Sequence, residues 1–243
     1  MRILICAGGT GGGIYPALAA VAELEALGVS KDEILWVGVQ GEMEETIVPR
    51  AGLTLKLITG GAIVGVPFTT TLKNGLKLAW SVVLSGRIMK QFRPDVVFLT
   101  GGYMSVPVAL AAWLRRIPAL VYLPDLEPGA AIKFIGRFVE TIAATFQESA
   151  QYFPAGKTVI ETGYPVRAEL RQAAALDKTE ALRQFNLTPE RKTLFVFGGS
   201  RGARSINEAL MQHLPNYLET MQVIHISGTL TWSDVEAHAH QLP

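Results

Sequence analysis

The sequence predicts an α/β protein built from two Rossmann-like domains, the second of them incomplete, and three observations carry that prediction. Short β-branched apolar runs alternate with longer helical patterns, as in βαβ units. Two of the runs end in glycine turns: Gly8-Gly9-Thr10-Gly11-Gly12-Gly13 follows Ile3 to Ala7, and Gly198-Gly199-Ser200-Arg201-Gly202-Ala203 follows Leu194 to Phe197. Each reads as a buried strand ending in a side-chain-poor turn that opens a helix, so that bare backbone N–H groups face any anion bound there. Two such units predict two nucleotide-type domains facing a shared cleft. Beyond residue 160 only Leu194 to Phe197 and Val223 to Ile226 read as strands, too few for a doubly wound domain, so the second is expected to be truncated.

Taken in order, Ile3 to Ala7 is a short apolar run, and the helical stripe from Pro16 to Leu27 has proline in its first turn and Gly28 at its end. Ile34 to Val37, Val96 to Leu99, Leu120 to Leu123 and Val159 to Ile160 have the composition of buried parallel strands. Ala155 to Arg167 mixes Pro, Gly, Lys and Tyr ahead of an Ala- and Gln-rich helical segment, which places a boundary near residue 160. The expected domains are residues 1–160 and 161–243. No solenoid-length repeat or low-complexity tract interrupts this pattern.

Composition narrows the partners. The 243 residues hold 22 basic and 21 acidic side chains, a balance that argues against nucleic acid as the main partner. Cys6 is the single cysteine and lies inside the first apolar run, where it reads as a small core residue of a protein kept in a reducing cytoplasm. With no second cysteine, neither a disulfide nor a cysteine metal site is expected. The first run is too short for a signal-peptide core, and stretches such as Val106 to Leu114 fall well short of the roughly twenty residues of a spanning helix.

The glycine turns do not match the commoner nucleotide motifs. A dinucleotide site wants G-x-G-x-x-G and an acidic residue at the tip of the second strand, where this chain reads Trp36-Val37-Gly38-Val39-Gln40. A triphosphate loop wants a glycine five residues before Gly156-Lys157-Thr158, and Gln151 stands there. What remains is a pair of turns suited to close approach by a sugar or a diphosphate, with no metal and no cofactor required.

Several short motifs together carry a more specific resemblance. They are Gly8-Gly9-Thr10-Gly11-Gly12 with Pro16, Trp36-Val37-Gly38 with Met43-Glu44 and Val48-Pro49, Arg93-Pro94-Asp95-Val96-Val97, and Gly101-Gly102-Tyr103-Met104-Ser105. Pro165-Val166-Arg167, Gly198 to Arg204 with Asn207, and His225 with Ser227-Gly228 continue the series. In this order they resemble the peptidoglycan N-acetylglucosaminyltransferases that convert lipid I to lipid II. The resemblance implies a GT-B fold and an inverting, metal-independent transfer of GlcNAc from UDP-GlcNAc to a polyprenyl-diphosphate-linked muramoyl peptide. It also implies a peripheral enzyme on the cytoplasmic face of the plasma membrane, in cell-wall synthesis.

The same resemblance implies substrate-binding roles for Thr10, Gly11, Gly12, Gly13, Tyr103, Asp125, Arg167, Ser200, Arg201 and Gly202. Arginine offers a fixed cation with a fork of donors, and a serine beside bare N–H groups can bond a phosphate oxygen. The chain also departs from the family. Where the family's first loop ends in histidine, its usual candidate base, this chain has Gly13; where the family has His-Glu-Gln-Asn, it has Tyr122-Leu123-Pro124-Asp125. Asp125 and Glu127 are the carboxylates left as candidate bases, or else caps of a helix starting near Gly129. A different lipid acceptor, or a shortened non-catalytic module holding a lipid diphosphate, are the alternative readings.

Between Thr69 and Phe92 a helical pattern shows two stripes. Leu72, Leu76, Ala79 and Val83 are expected to pack inward, and Lys73, Lys77, Trp80, Leu84 and Arg87 form an adjacent basic and apolar face. With Phe68 and the apolar loop before it, that face suits an anionic membrane surface.

Overall fold

Strand β1 (Ile3–Cys6) is buried along its whole length, as the central strand of a parallel sheet must be. The computed structural model describes residues 1–58, 68–199 and 202–240, side chains at 68–76 excepted. Around β1 lie β2 (Ile34–Val39), β3 (Thr54–Ile58), β4 (Val96–Leu99), β5 (Ala119–Leu123), β6 (Thr141–Ala144) and β7 (Thr158–Glu161). They form a seven-stranded sheet of order β3-β2-β1-β4-β5-β6-β7, with every neighbouring pair parallel.

Alternate residues of β1 feed cores on opposite faces of this sheet. Ile3 and Ile5 pack with Ile14, Ala17 and Val21 of helix α1 (Gly11–Ala26) and with Trp36 and Val48. Leu4 and Cys6 pack with Val97, Leu99, Val108, Val121 and Met89. Burial of Cys6 pushes its thiol up to about 12. The other described helices up to the unit boundary are α2 (Glu44–Arg50), α3 (Phe68–Phe92), α4 (Ser105–Leu114) and α5 (Ala130–Ile135), with α6 (Ala168–Ala173) running across it.

Each strand read from the sequence is present. β3 and β6 were not legible: β3 is an edge strand with its side chains largely exposed, and β6, Thr-Ile-Ala-Ala, is small rather than bulky. Helix α1 begins inside the glycine turn at Gly11, ahead of Pro16, and ends as expected beside Gly28, which takes φ +91°. The compact units are Met1–Arg171 and Gln172–Pro243, so the boundary expected near residue 160 falls inside β7, whose parallel pairing with β6 carries the first unit further.

The face of α3 turned to the core differs from the expected one. Leu78, Ser81, Val82, Ser85 and Met89 face inward, while Ala79 and Val83 are exposed. Two serines disguised the buried stripe. Their hydroxyls bond back along the helix, Ser81 Oγ to the Lys77 carbonyl at 2.9 Å and Ser85 Oγ to the Ser81 carbonyl at 2.7 Å, so neither is left unsatisfied by burial. Leu84, expected on the membrane face, is half-buried against the core. Leu72, Leu76, Phe68 and Lys73 have side chains outside the described residues, as do the positions of the preceding loop.

In the second unit β8 (Lys192–Phe197) pairs in parallel with β9 (Met221–Ile226), accompanied by α7 (Lys178–Gln184), α8 (Arg204–Thr220) and α9 (Trp232–Ala239). Asp177 caps α7, accepting from the N–H groups of Thr179 and Glu180 at 2.8 and 3.3 Å. Those backbone donors hold its carboxyl below the usual range.

Candidate functional site

Strand order reverses between β1 and β4, and open parallel sheets bind their ligands at the carboxyl ends of the strands beside such a point. Here the first glycine turn follows β1, and Thr100-Gly101-Gly102-Tyr103 follows β4. Together with the end of β5 they line a cleft of about 620 Å³ within the first unit. Its lining includes the apolar side chains of Val39, Ile58, Leu78, Met104, Pro107 and Ile132. Gly8 to Thr10, Gly12 and Gly13 of the glycine turn line it as well.

The mouth of α1 keeps donors free. Gly13 and Ile14 donate to the Thr10 carbonyl at 3.1 and 3.2 Å, while the N–H groups of Thr10, Gly11 and Gly12 meet no acceptor among the described residues. The Thr10 hydroxyl makes no cap bond either. Three amides without an acceptor among the described residues thus stand at the positive end of a 16-residue helix, where negative charge is favoured.

A residue that sequence reasoning noted without a role fixes this turn. Glu44, fully buried at the start of α2, accepts from the Gly9 N–H at 3.0 Å with Oε2 and from the Val39 N–H at 2.9 Å with Oε1. It ties the turn after β1 to the tip of β2, and the missing side chains of Gly8 and Gly38 leave the room for its carboxylate and stem. Trp36 Nε1 donates to the Ala7 carbonyl at 2.8 Å and steadies the same strand end. An acidic residue was sought at the tip of β2 and not found there. It arrives five residues after Val39, folded back by α2.

Thr10, Gly12, Gly13, Tyr103 and Asp125 of the expected substrate-binding set all line the cleft. Gly11 and Arg167 lie beside it. The Arg167 guanidinium carbon sits 4.3 Å from the centre of the Tyr15 ring, and a Cβ on Gly11 would stand 3.2 Å from that same ring. Arg167 makes no ion pair with a described residue, whereas Arg171 reaches Glu23 of α1 at 2.6 Å. Tyr164 also lines the cleft, its ring 6.4 Å from that of the buried Tyr122, whose hydroxyl is shared with Thr145 at 2.8 Å.

The two carboxylates separate. Asp125 is exposed at the cleft, with no hydrogen bond or ion pair to a described residue. Glu127 is not among the cleft-lining residues and pairs with Lys133 at 3.0 Å. Neither caps α5, whose N-cap Gly129 has no side-chain partner. Among the described residues no cluster of His, Cys, Asp or Glu is arranged to hold a metal ion.

In the second unit Gly202 takes φ +84° and packs against the Ser227 carbonyl. Asn207, fully buried on α8, donates to the Ser227 carbonyl at 2.8 Å and to Thr231 Oγ1 at 2.7 Å, and its Oδ1 meets His225 Nε2 at 2.9 Å. Burial lowers the His225 pKa, which favours the neutral ring in that contact. Ser200 and Arg201 lie outside the described residues. On α3, Lys77, Trp80 and Arg87 are exposed, with the Arg87 guanidinium 5.4 Å from the Trp80 ring centre.

A seven-stranded parallel sheet with a glycine-lined switch-point cleft is the first Rossmann-like half of a GT-B type fold. The N-terminal domain of glycosyltransferase family 28 matches residues 3–144, more than half of the chain, and the chain belongs to that family. A relative from Desulforamulus reducens is 39% identical over 234 residues, covering 94% of this chain and 61% of its own length. One from Lacticaseibacillus casei is 38% identical over 247 residues, covering all of this chain and 66% of its own. Both are named UDP-N-acetylglucosamine--N-acetylmuramyl-(pentapeptide) pyrophosphoryl-undecaprenol N-acetylglucosamine transferase. The chain thus spans about two thirds of the length of these curated relatives or slightly less. Among solved structures, MurG from Acinetobacter baumannii shares the fold with a TM-score of 0.66 at 24% identity, over all of this chain and 64% of its own. The UDP-GlcNAc 2-epimerase from Neisseria meningitidis, solved with UDP-GlcNAc, does so with a TM-score of 0.63 at 15% identity, over all of this chain and 70% of its own.

Proposed function

We propose that this chain carries the acceptor side of an inverting, metal-independent N-acetylglucosaminyltransferase, which moves GlcNAc from UDP-GlcNAc onto a polyprenyl-diphosphate-linked muramoyl peptide. The observation that carries the reading is the mouth of α1. The amides of Thr10, Gly11 and Gly12, without an acceptor among the described residues, open the helix whose first residues line a cleft that also has apolar side chains, which suits a diphosphate joined to a lipid. The names of the relatives supply the sugar and the acceptor.

In this reading Thr10, Gly12, Gly13 and Tyr103 bind the acceptor, and Arg167, set by the Tyr15 ring, approaches the phosphates of the donor. Asp125 takes the proton from the muramoyl 4-hydroxyl as that oxygen attacks the anomeric carbon of GlcNAc and UDP leaves from the opposite face. The second unit, Gln172–Pro243, with Ser200, Arg201 and Gly202, contributes to donor binding. Lys77, Trp80 and Arg87 rest on the anionic inner face of the plasma membrane, where the lipid acceptor is presented. No described helix is long and apolar enough to cross a membrane.

Gly13 favours one second reading. It cannot take a proton, so a module that holds a lipid diphosphate without transfer is consistent with that position. Incubating the chain with radiolabelled UDP-GlcNAc and a short-prenyl lipid I analogue, in the presence of a chelator, separates the two. Disaccharide product that is lost in Asp125→Asn supports transfer. Binding of the analogue without product supports the module, and absence of both refutes the family of readings.

A further inference from the structure

Almost every described buried hydroxyl in the first unit is satisfied, and one at the cleft is not. Ser105 Oγ donates to the Gly101 carbonyl at 2.6 Å, Ser149 Oγ to the Leu126 carbonyl at 2.8 Å, and Ser81 and Ser85 bond back along α3. Thr100 Oγ1 is buried with no partner among the described residues, and its residue is only 6% exposed. Leaving such a group unpaired costs stability, and native proteins tolerate it chiefly where a ligand or function compensates.

Its position supplies the compensation. Thr100 follows β4 at the strand-order reversal, lines the cleft, and has its hydroxyl against Gly13: a Cβ built there would stand 3.2 Å from Oγ1 and 3.3 Å from the Gly8 carbonyl. The hydroxyl therefore lies against the first turn of α1, the turn that carries the free amides of Thr10, Gly11 and Gly12. Its own amide is anchored to the Cys6 carbonyl at 3.2 Å, so the backbone beneath it is fixed. Turning the hydroxyl between staggered wells to meet a bound oxygen breaks no hydrogen bond to a described residue.

We propose that Thr100 is a ligand-binding residue of the cleft, whose hydroxyl donates to a phosphate oxygen of a diphosphate held at the mouth of α1. This rests on the anion site of the proposed function and adds to it a donor that neither motif nor family resemblance singled out. Glycine at position 13 is part of the arrangement, since any side chain there crowds the hydroxyl.

Calorimetry with inorganic pyrophosphate, without divalent metal, tests the assignment on the intact chain. In Thr100→Val, a near-isostere, affinity is expected to fall about tenfold or more, the loss of one hydrogen bond to a charged group, and Thr100→Ser is expected to recover most of it. Thermal unfolding supplies the second readout. A hydroxyl without a protein partner leaves the midpoint of Thr100→Val unchanged or higher, whereas a midpoint lowered by several degrees would reveal a structural partner and overturn the proposal. Unchanged affinity in Thr100→Val overturns the Thr100 assignment and leaves the anion site standing. No binding by the unsubstituted chain overturns both. Binding that depends on Thr100, with no GlcNAc transfer, keeps the assignment while rejecting the transferase reading.

Discussion

Replacing Glu44 by glutamine tests what shapes the glycine turn. The buried carboxylate accepts one N–H from Gly9 and one from Val39, and beside it only the Trp36 bond to the Ala7 carbonyl ties the end of β1 to β2 through a described side chain. A carboxamide keeps one accepting oxygen and turns an NH2 group toward the other N–H, so one bond is lost and two donors face each other. Hydrogen bonds to a charged group contribute about 1.5–3 kcal/mol each, so Glu44→Gln is expected to destabilise the first unit by about that amount. Glu44→Ala loses both bonds and leaves a cavity, for about 3–5 kcal/mol. Amide hydrogen exchange resolves the effect by residue: Gly9 or Val39 should exchange about ten- to a hundredfold faster in Glu44→Gln, while central β4 and β5 amides change only with global stability. Unaltered exchange at both amides with an unaltered urea midpoint would refute the claim that this carboxylate sets the turn.

Other expectations follow from single contacts. Cys6, fully buried and titrating at about 12 against an ordinary 9.0, should resist thiol reagents at pH 8 until the protein unfolds; rapid stoichiometric labelling of folded protein would contradict its burial. By linkage its raised pKa leaves stability untouched below pH 9 and lowers it as pH rises from there toward 12, because the unfolded thiol releases its proton first. Asp177, with its folded pKa depressed by backbone donors, contributes to α7 above its unfolded pKa and loses that contribution as pH falls through the folded one; helicity at pH 7 should drop in Asp177→Ala and survive in Asp177→Asn. Gly202→Ala, at φ +84° against the Ser227 carbonyl, should cost the second unit about 2 kcal/mol or more, read by denaturant unfolding, and a neutral result would reject the packing described. Pelleting with anionic vesicles should weaken with salt and fall several-fold in Arg87→Glu, at about 1 kcal/mol per basic residue; no pelleting at low salt would discard the membrane face.

The sequence made legible whatever depends on neighbours along the chain. Central strands such as Val96–Leu99 are continuous apolar runs because helices cover both faces of the sheet. The glycine turn after β1 opens a helix as expected, and Gly28 closes it. What escaped depends on closure in space. The inward face of α3 was misread because Ser81 and Ser85 look polar until their bonds to the helix backbone are seen. Glu44 stood in a motif without a role, since only α2 folding back brings its carboxylate to Gly9 and Val39. Thr100 gave no signal, because an unpaired hydroxyl is a property of its surroundings. Asp125 and Glu127, two residues apart, read alike in the sequence, whereas in space only Asp125 lines the cleft and Glu127 pairs with Lys133.

The proposed anion site at the first turn of α1 stands or falls on the amides of Thr10, Gly11 and Gly12. Nitrogen-edited NMR of the chain titrated with inorganic pyrophosphate reads each of them. Saturable shifts are expected to concentrate at these three amides, with smaller ones at Gly13 and Thr100. Saturable binding that moves other amides and leaves these still, or no binding at millimolar pyrophosphate, would contradict it.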